Sequence, residues 1–307
     1  METLQVAYDV ILPIFLVVGI SALVGRWLKP DPRTLSTLMI YLFSPALVLD
    51  GLSKSKLQNG ELGQLALMMA TSQLLMWLVG WGIARGLRME GKLQSAFLLT
   101  IVLVNTGNYG LPLCKFAFGT DDKERALISY AVSAVSANTI GVYLASSSSG
   151  STRQALLNVF KVPLPYAAVI GIALNLSGST ILAPGSALAP LGKAIALLGQ
   201  AAVPSMLAIL GLQLLHTRLK GRIRPILIAA GARLIIAPLL AFPLAALLGL
   251  TGAARQVGIV EASMPTAVMS IALATQFDSD VEFTSAVILV STLVSVVTLS
   301  VLLSILM

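Results

Sequence analysis

Long apolar segments alternate with short polar ones along the whole chain. Several apolar segments reach the roughly 20 residues that a helix needs to cross about 30 Å of hydrocarbon. Lipid offers no hydrogen bonds to a bare backbone, so the pattern predicts an all-α membrane protein. The ten predicted helices cover residues 8–27, 33–52, 61–87, 92–119, 123–147, 159–177, 187–215, 223–249, 253–276 and 281–306.

The two halves of this pattern resemble each other. The segments "LPIFLVVGI" (residues 12–20) and "LPYAAVIGI" (residues 164–172) both read L-P-x5-G-I. Three pairs of prolines lie 152, 159 and 153 residues apart, namely Pro13 and Pro165, Pro45 and Pro204, and Pro112 and Pro265. A near-constant offset indicates a duplication. Because five helices is an odd number, the second copy enters the membrane upside down, as in many secondary transporters. The predicted units are residues 1–148 and 159–307, with a short connector over residues 149–158.

The fourth and ninth predicted helices contain residues that interrupt a helix. Proline removes a backbone donor and glycine permits unusual backbone angles, so we expect breaks at Leu111–Pro112 and at Met264–Pro265. Interrupted segments at matching positions of two inverted repeats indicate a binding site, and the N-termini of half-helices favour anions. The candidate substrate-binding residues are Asn105, Asn108, Gly107, Gly110, Ser263 and Thr266, and the helix-break residues are Pro112 and Pro265.

Two charged residues lie deep inside predicted helices. Arg233 and Glu261 are each about eight residues from a helix end, which places them about 12 Å below the membrane surface. An unpaired charge at that depth is costly, so we expect the two side chains to pair with each other or with polar backbone. A role in substrate or proton coupling is the alternative interpretation.

The motif N-x-G-N-x-G-L-P at residues 105–112, with the later "EASMP" and "FSPALVLDG", resembles the auxin efflux carrier family. That family includes the plant PIN-formed transporters and bacterial permeases for malonate and related acids. The resemblance covers almost the whole chain. It implies a ten-helix inverted-repeat fold akin to bile-acid symporters and sodium/proton antiporters, in which helices 4 and 9 cross. It also implies that Asn105 and Asn108 line the substrate site and that a homodimer forms through scaffold helices around helices 2 and 7.

The same resemblance extends to the end of the second predicted helix. Asp50 and Lys54 repeat a D-x3-K pattern of plant members, and their spacing places them on one helix face. A gating role and a solvated surface pair are both compatible with this pattern. The long central loop of many plant members is absent here, which favours a bacterial source and the bacterial inner membrane.

Composition and charge agree with a membrane protein. Hydrophobic residues form 57% of the chain and charged residues only 11%, too few to cover a soluble protein of 307 residues. Twelve basic residues fall in loops on one side and six on the other, so the positive-inside rule predicts that both termini face outside. The net charge of +7 therefore reflects topology rather than nucleic-acid binding. With one cysteine and one histidine, the sequence suggests no metal cluster and no catalytic constellation.

These observations predict a secondary active transporter of a small organic anion, in particular a carboxylate. The carrier would alternate between two openings, with its site where helices 4 and 9 cross. It would need no cofactor, although protons or sodium could drive it. A sodium-coupled symporter of the bile-acid type is the alternative within transport. A ligand sensor or a channel is the alternative from another class, and an enzyme is not expected.

Overall fold

Apolar residues in long runs form helices throughout the part of the chain that the computed structural model describes, which is residues 3–55, 59–119, 123–146, 162–217 and 223–307. Within these ranges no strand occurs, and one isolated antiparallel bridge pairs Val104 with Thr266. The prediction of an all-α protein is confirmed. The predicted connector at residues 149–158 lies outside the described residues.

Thirteen helical elements follow one another in the described ranges. They are α1 Thr3–Leu28, α2 Pro32–Ser53, α3 Asn59–Gly86, α4 Gly91–Val102, α5 106–118, α6 Glu124–Ser146, α7 Leu164–Leu176, α8 Ala189–Gln200, α9 Ala202–His216, α10 Ile223–Leu247, α11 Gly252–Ala262, α12 Met269–Gln276 and α13 Val281–Leu306. Each predicted helix overlaps at least one of these elements. The fourth predicted helix divides into α4 and α5, the seventh into α8 and α9, and the ninth into α11 and α12.

Seven stretches are long and apolar enough to cross a membrane. They are α1, α2, α3, α6, α10, α13 and the consecutive pair α8 and α9. Helices α4 and α7 are apolar but shorter. The described residues therefore form an all-helical protein with at least seven candidate spans, and the arrangement of ten spans as two inverted repeats stays a prediction.

Four of the prolines that lie within helices each follow a wide π-helical turn. The turns Ala7–Ile11, Met39–Phe43, Thr106–Gly110 and Ala232–Ile236 end two residues before Pro13, Pro45, Pro112 and Pro238. Proline lacks an N–H group and its ring crowds the carbonyl four residues earlier. A π turn makes room because its hydrogen bonds span five residues, as from the Leu111 N–H to the Thr106 carbonyl.

This accommodation changes where the fourth predicted helix breaks. Helix α5 runs through Pro112, and the non-helical segment lies at residues 103–105 instead of the predicted Leu111–Pro112. The ninth predicted helix breaks as expected around Pro265, between the end of α11 and the start of α12. Pro265 therefore lies in the interruption that it predicts, whereas Pro112 lies in the helix that follows the other interruption.

Small residues bring helices from the two halves of the chain close together. A Cβ atom added at Gly211 of α9 would lie 2.3 Å from the Val18 carbonyl oxygen of α1. One added at Gly199 of α8 would lie 3.0 Å from the Leu47 Cα of α2. Glycine at such contacts lets helix backbones approach each other, which is a common way of packing helices in lipid. Helices α1, α2, α8 and α9 thus form one packed group.

Candidate functional site

The segments that interrupt the fourth and the ninth predicted helices contact each other through their backbones. The Asn105 N–H donates to the Pro265 carbonyl at 2.9 Å, and the Ala267 N–H donates to the Leu103 carbonyl at 2.9 Å. A broken helix leaves backbone groups unpaired, and such groups are costly in an apolar surrounding. Here the break after α4 and the break after α11 provide hydrogen-bond partners for some of each other's backbone groups. We call residues 103–105 and 263–268 together the crossing.

Side chains of neighbouring helices complete the backbone pairing at the crossing. Thr266 is fully buried, and its hydroxyl donates to the Thr100 carbonyl near the end of α4 at 2.8 Å. The Thr266 N–H donates to the hydroxyl of Ser291 on α13 at 3.3 Å. Ser263 donates to the Ile259 carbonyl one turn earlier at 2.6 Å. The hydroxyls of Thr266 and Ser263 therefore already have backbone partners.

Arg233 binds the carbonyl groups that the two breaks leave free. Its Nε atom donates to the Met264 carbonyl at 2.9 Å, and Nη1 donates to the Ile101 carbonyl at 3.0 Å. Its Nη2 atom donates to the Ala262 carbonyl. The side chain is 1% exposed. Of the two predicted partners for Arg233, the structure shows the polar backbone and not Glu261.

The charge of Arg233 also matches the helix ends around it. Ile101 and Ala262 lie at the C-terminal ends of α4 and α11. Each helix C-terminus carries roughly half an elementary negative charge, so two such ends together approach the single positive charge of a guanidinium. Arg233 therefore holds the two breaks together by hydrogen bonding and by electrostatic attraction.

Glu261 lies in the last turn of α11 and has no comparable set of partners. It is 0% exposed. The Cys114 thiol of α5 approaches its Oε1 atom at 3.4 Å, and no described residue gives Oε2 a hydrogen bond. A Cβ atom added at Gly110 would lie 2.3 Å from Oε2, so only a glycine fits there with the carboxyl in this position. The Glu261 carboxyl is thus held directly against the backbone of α5.

The two predicted asparagines lie at the start of α5 in different surroundings. Asn105 is 4% exposed, and its carbonyl accepts from the Gly110 N–H at 3.0 Å. The Asn105 Nδ2 group is buried and finds no hydrogen-bond partner among the residues that the structure describes. Asn108 is half-buried in the π-helical turn. Asn105 therefore offers an unused donor at the place where a helix begins.

Gly107 allows a close contact that the sequence alone did not indicate. A Cβ atom at Gly107 would lie 2.6 Å from Cε2 of Tyr130 on α6. The Tyr130 hydroxyl donates to Ser44 of α2 at 2.9 Å. Tyr130 lies against Gly107, Ser44 accepts from Tyr130, and Cys114 lies against Glu261. These three residues come from separate helices with no shared spacing in the sequence. Only the packed fold reveals them.

Asp50 and Lys54 form the ion pair that their spacing predicts, at the C-terminal end of α2. Lys54 is largely exposed. Asn175 of α7 closes this helix end by donating from its Nδ2 atom to the Ser55 carbonyl at 2.6 Å. The contacts that the structure shows for Asp50 and Lys54 lie at this helix end. Within the described residues, these contacts do not include any residue of the crossing.

The chain is similar to known membrane transport proteins over nearly its whole length. A family model described as membrane transport protein matches residues 6–303. An uncharacterized transporter of Methanothermobacter thermautotrophicus is 28% identical over 276 residues, which cover 88% of this chain and 88% of the relative. An uncharacterized transporter of Methanocaldococcus jannaschii is 24% identical over 304 residues, which cover 96% of this chain and 97% of that relative.

Proposed function

The chain belongs to the auxin efflux carrier family of membrane transport proteins, and from this premise we propose that it is a secondary carrier of a small organic anion. A carboxylate is the cargo that the chemistry of the crossing favours. The single observation that carries the proposal is the buried Asn105 amide, whose Nδ2 donor has no partner in the described part of the chain. A buried donor without a partner is costly, and a carboxylate oxygen would satisfy it.

The surroundings of Asn105 support an anion rather than a cation. Helix α5 begins at residue 106 and helix α12 begins at Met269, so two helix N-termini start beside the crossing. Helix N-termini carry partial positive charge and free N–H groups. Asn108 adds a second amide, while Gly107 and Gly110 let the Tyr130 ring and the Glu261 carboxyl pack directly against the backbone of this turn. Ser263 and Thr266 act as supports in this proposal, because their hydroxyls already have partners.

Transport requires the site to open to each side in turn. We propose that the group formed by α1, α2, α7, α8 and α9 serves as a scaffold and that the crossing helices move against it. In this arrangement the chain spans the bacterial inner membrane ten times as two inverted units, with both termini outside. A homodimer would form through α2 and the α8–α9 pair. The Asp50–Lys54 pair at the end of α2 would guide or gate the cargo.

Sodium coupling is the alternative, and the place of Arg233 argues against one version of it. Carbonyl oxygens freed by broken helices are suitable ligands for sodium in transporters of this architecture. Three such oxygens, on Ile101, Ala262 and Met264, accept hydrogen bonds from Arg233 instead. A tethered guanidinium thus occupies the position that a cation would need there.

A thermal-shift screen of the purified protein tests the proposal. Acetate, pyruvate, malonate, succinate and citrate are added singly, each with sodium or with choline as counter-ion. A ligand that binds the folded state raises the melting temperature with concentration. We expect at least one carboxylate to do so without sodium. A shift that requires sodium would favour the symporter, and no shift with any carboxylate would contradict the proposed cargo.

Replacing Asn105 by alanine tests the site itself. Asn105→Ala keeps the backbone hydrogen bonds of the crossing and removes only the unpartnered amide, so we expect little loss of stability. The same variant should weaken carboxylate binding by about 1–3 kcal/mol, or roughly 5- to 150-fold. Asn138→Ala is the matched control, because the Asn138 amide donates to the Ala134 carbonyl within α6. Unchanged affinity in Asn105→Ala would remove Asn105 from the site.

A further inference from the structure

Glu261 is a buried carboxyl group without a counter-charge among the described residues. Its Oε2 atom has no hydrogen-bond partner in that part of the chain, and the side chain is 0% exposed. The nearest buried cation in the same part of the fold, Arg233, directs its guanidinium to three carbonyl oxygens. An ionised carboxylate taken out of water without a partner is strongly unfavourable. The surroundings of Glu261 in this conformation therefore suit an uncharged carboxylic acid.

The helices around α11 bring no other charge to this carboxyl. On α5 the Cys114 thiol faces it, whereas the Tyr109 ring packs edge-on against Phe15 of α1. On α6 the Tyr130 hydroxyl is bonded to Ser44. The remaining charged residues of the packed helices lie at helix ends or outside the described contacts of Glu261, namely Glu61 and Arg85 on α3, Lys115 on α5, Glu124 and Arg125 on α6, Arg255 on α11 and Glu282 on α13.

The contact with Gly110 links the state of the carboxyl to the position of α5. The carboxyl lies so close to Gly110 that even a methyl group would not fit between them. No room is left on that side for the water molecules that an ionised carboxylate needs. Hydration of Glu261 from that side therefore requires α5 and α11 to separate locally while the crossing helices move against the scaffold.

We propose that Glu261 is the proton-carrying residue of this transporter. The carboxyl is protonated while α5 and α11 are in contact. When they separate, water enters, the O–H bond breaks and the proton passes to water on one side of the membrane. The resulting carboxylate takes up a proton from water on the other side before the helices close again. One proton thus binds and leaves in each cycle of the carrier. This inference rests on the proposed function, because it assigns the coupling ion of the same crossing.

Infrared spectroscopy of the reconstituted protein tests this assignment without any substrate. A protonated carboxyl absorbs apart from the amide bands, and its band shifts in heavy water. We expect such a band in the wild-type protein at neutral pH and its loss in Glu261→Gln, which keeps the shape of the side chain and cannot ionise. Glu90→Gln, at an exposed residue before α4, is the matched control and should leave the band unchanged.

If Glu261→Gln does not fold, infrared measurements on the wild-type protein still test the assignment. Labelling of glutamate with carbon-13 should shift the band and so assign it to a glutamic acid. Absence of a protonated glutamate band would overturn the inference, and so would its loss when sodium chloride replaces choline chloride, since sodium would then neutralise Glu261. A band without carboxylate binding in the thermal-shift screen would contradict the proposed cargo alone. Carboxylate binding without the band would contradict the proton assignment alone.

Discussion

Arg233 and Glu261 are both buried beside the same crossing, but their surroundings differ in kind. Arg233 finds three carbonyl oxygens and two helix C-termini, which match its donors and its charge. Glu261 finds one thiol and leaves an oxygen atom without a partner. A buried charge whose partners are complete holds the structure together. The free energy of ionising a buried carboxyl with incomplete partners depends on whether water or another polar group reaches it. A residue that couples proton binding to movement needs this property.

Removing the guanidinium should produce the largest effect. Arg233→Ala leaves three buried carbonyl oxygens without donors, and each unpaired group costs about 1–3 kcal/mol. We expect a loss of at least about 3 kcal/mol of stability, measured as a large drop in melting temperature in detergent. Arg233→Lys keeps the charge but offers a single ammonium group, so its melting temperature should lie between the two. Lys193→Ala, at an exposed residue of α8, is the control. Equal melting temperatures for Arg233→Ala and the wild type would refute the structural role of Arg233.

A methyl group at Gly110 should have an intermediate effect. In Gly110→Ala the new Cβ would lie 2.3 Å from the Glu261 Oε2 atom, so either the carboxyl or α5 must shift. Overpacking of this kind costs about 1–3 kcal/mol. Gly82→Ala is the matched control, because no atom lies within 4 Å of a Cβ added there. Both variants are compared by thermal unfolding.

A double-mutant cycle shows whether Glu261 causes the Gly110 effect. Glu261→Ala shortens the side chain, so Gly110→Ala should cost much less in that background than in the wild type. Contacting residues give such non-additive effects, and distant ones do not. If the two substitutions add without interaction, the close contact between Gly110 and Glu261 does not determine the packing of α5 on α11.

The exposed ion pair at the end of α2 should show the smallest effect on stability. Pairs in contact with water contribute about 0–1 kcal/mol, so Asp50→Asn should lower the melting temperature only slightly. Asp278→Asn is the control, because Asp278 pairs with Lys92 in a still more exposed position. Uptake into proteoliposomes of the carboxylate that stabilises the protein most then tests the gating role of Asp50. A wild-type rate in Asp50→Asn would leave the pair as surface structure only.

The sequence predicted which charged residues are buried and where helices are interrupted. It predicted less well which groups those charged residues contact. Arg233 and Glu261 could be placed inside the bundle because apolar residues surround them along the chain. The partners of Arg233 are backbone carbonyls, and their availability depends on where two other helices end, which no pattern around Arg233 encodes. The proline rule placed one break correctly around Pro265. It misplaced the other, because a π-helical turn absorbs Pro112 and allows the helix to continue.

The same limit explains the residues that sequence reasoning missed. Tyr130 and Cys114 matter because glycines on other elements, or a carboxyl from another helix, approach them in space. Tyr130 does not stand out among the aromatic residues of apolar helices. Cys114 is the single cysteine of the chain, but the sequence around it does not indicate Glu261 as its partner. Conversely, Asn105 and Asn108 were recognised because amides are unusual in such a segment. A residue type that is rare in an apolar helix can therefore be recognised from the sequence. Which side chains of different helices fit together cannot.

The order in which the chain is synthesised gives the crossing a further consequence. The break after α4 receives hydrogen bonds from Arg233, Thr266 and Ala267 and donates one to Pro265, all of which lie far downstream. When α4 and α5 leave the ribosome, none of these partners exists yet. Until α10, α11 and the segment after α11 are synthesised, these backbone groups of the first half lack their final partners. Water or the insertion machinery must satisfy their hydrogen bonds during that time. The stretch that ends up in the middle of the folded protein is thus among the last to settle.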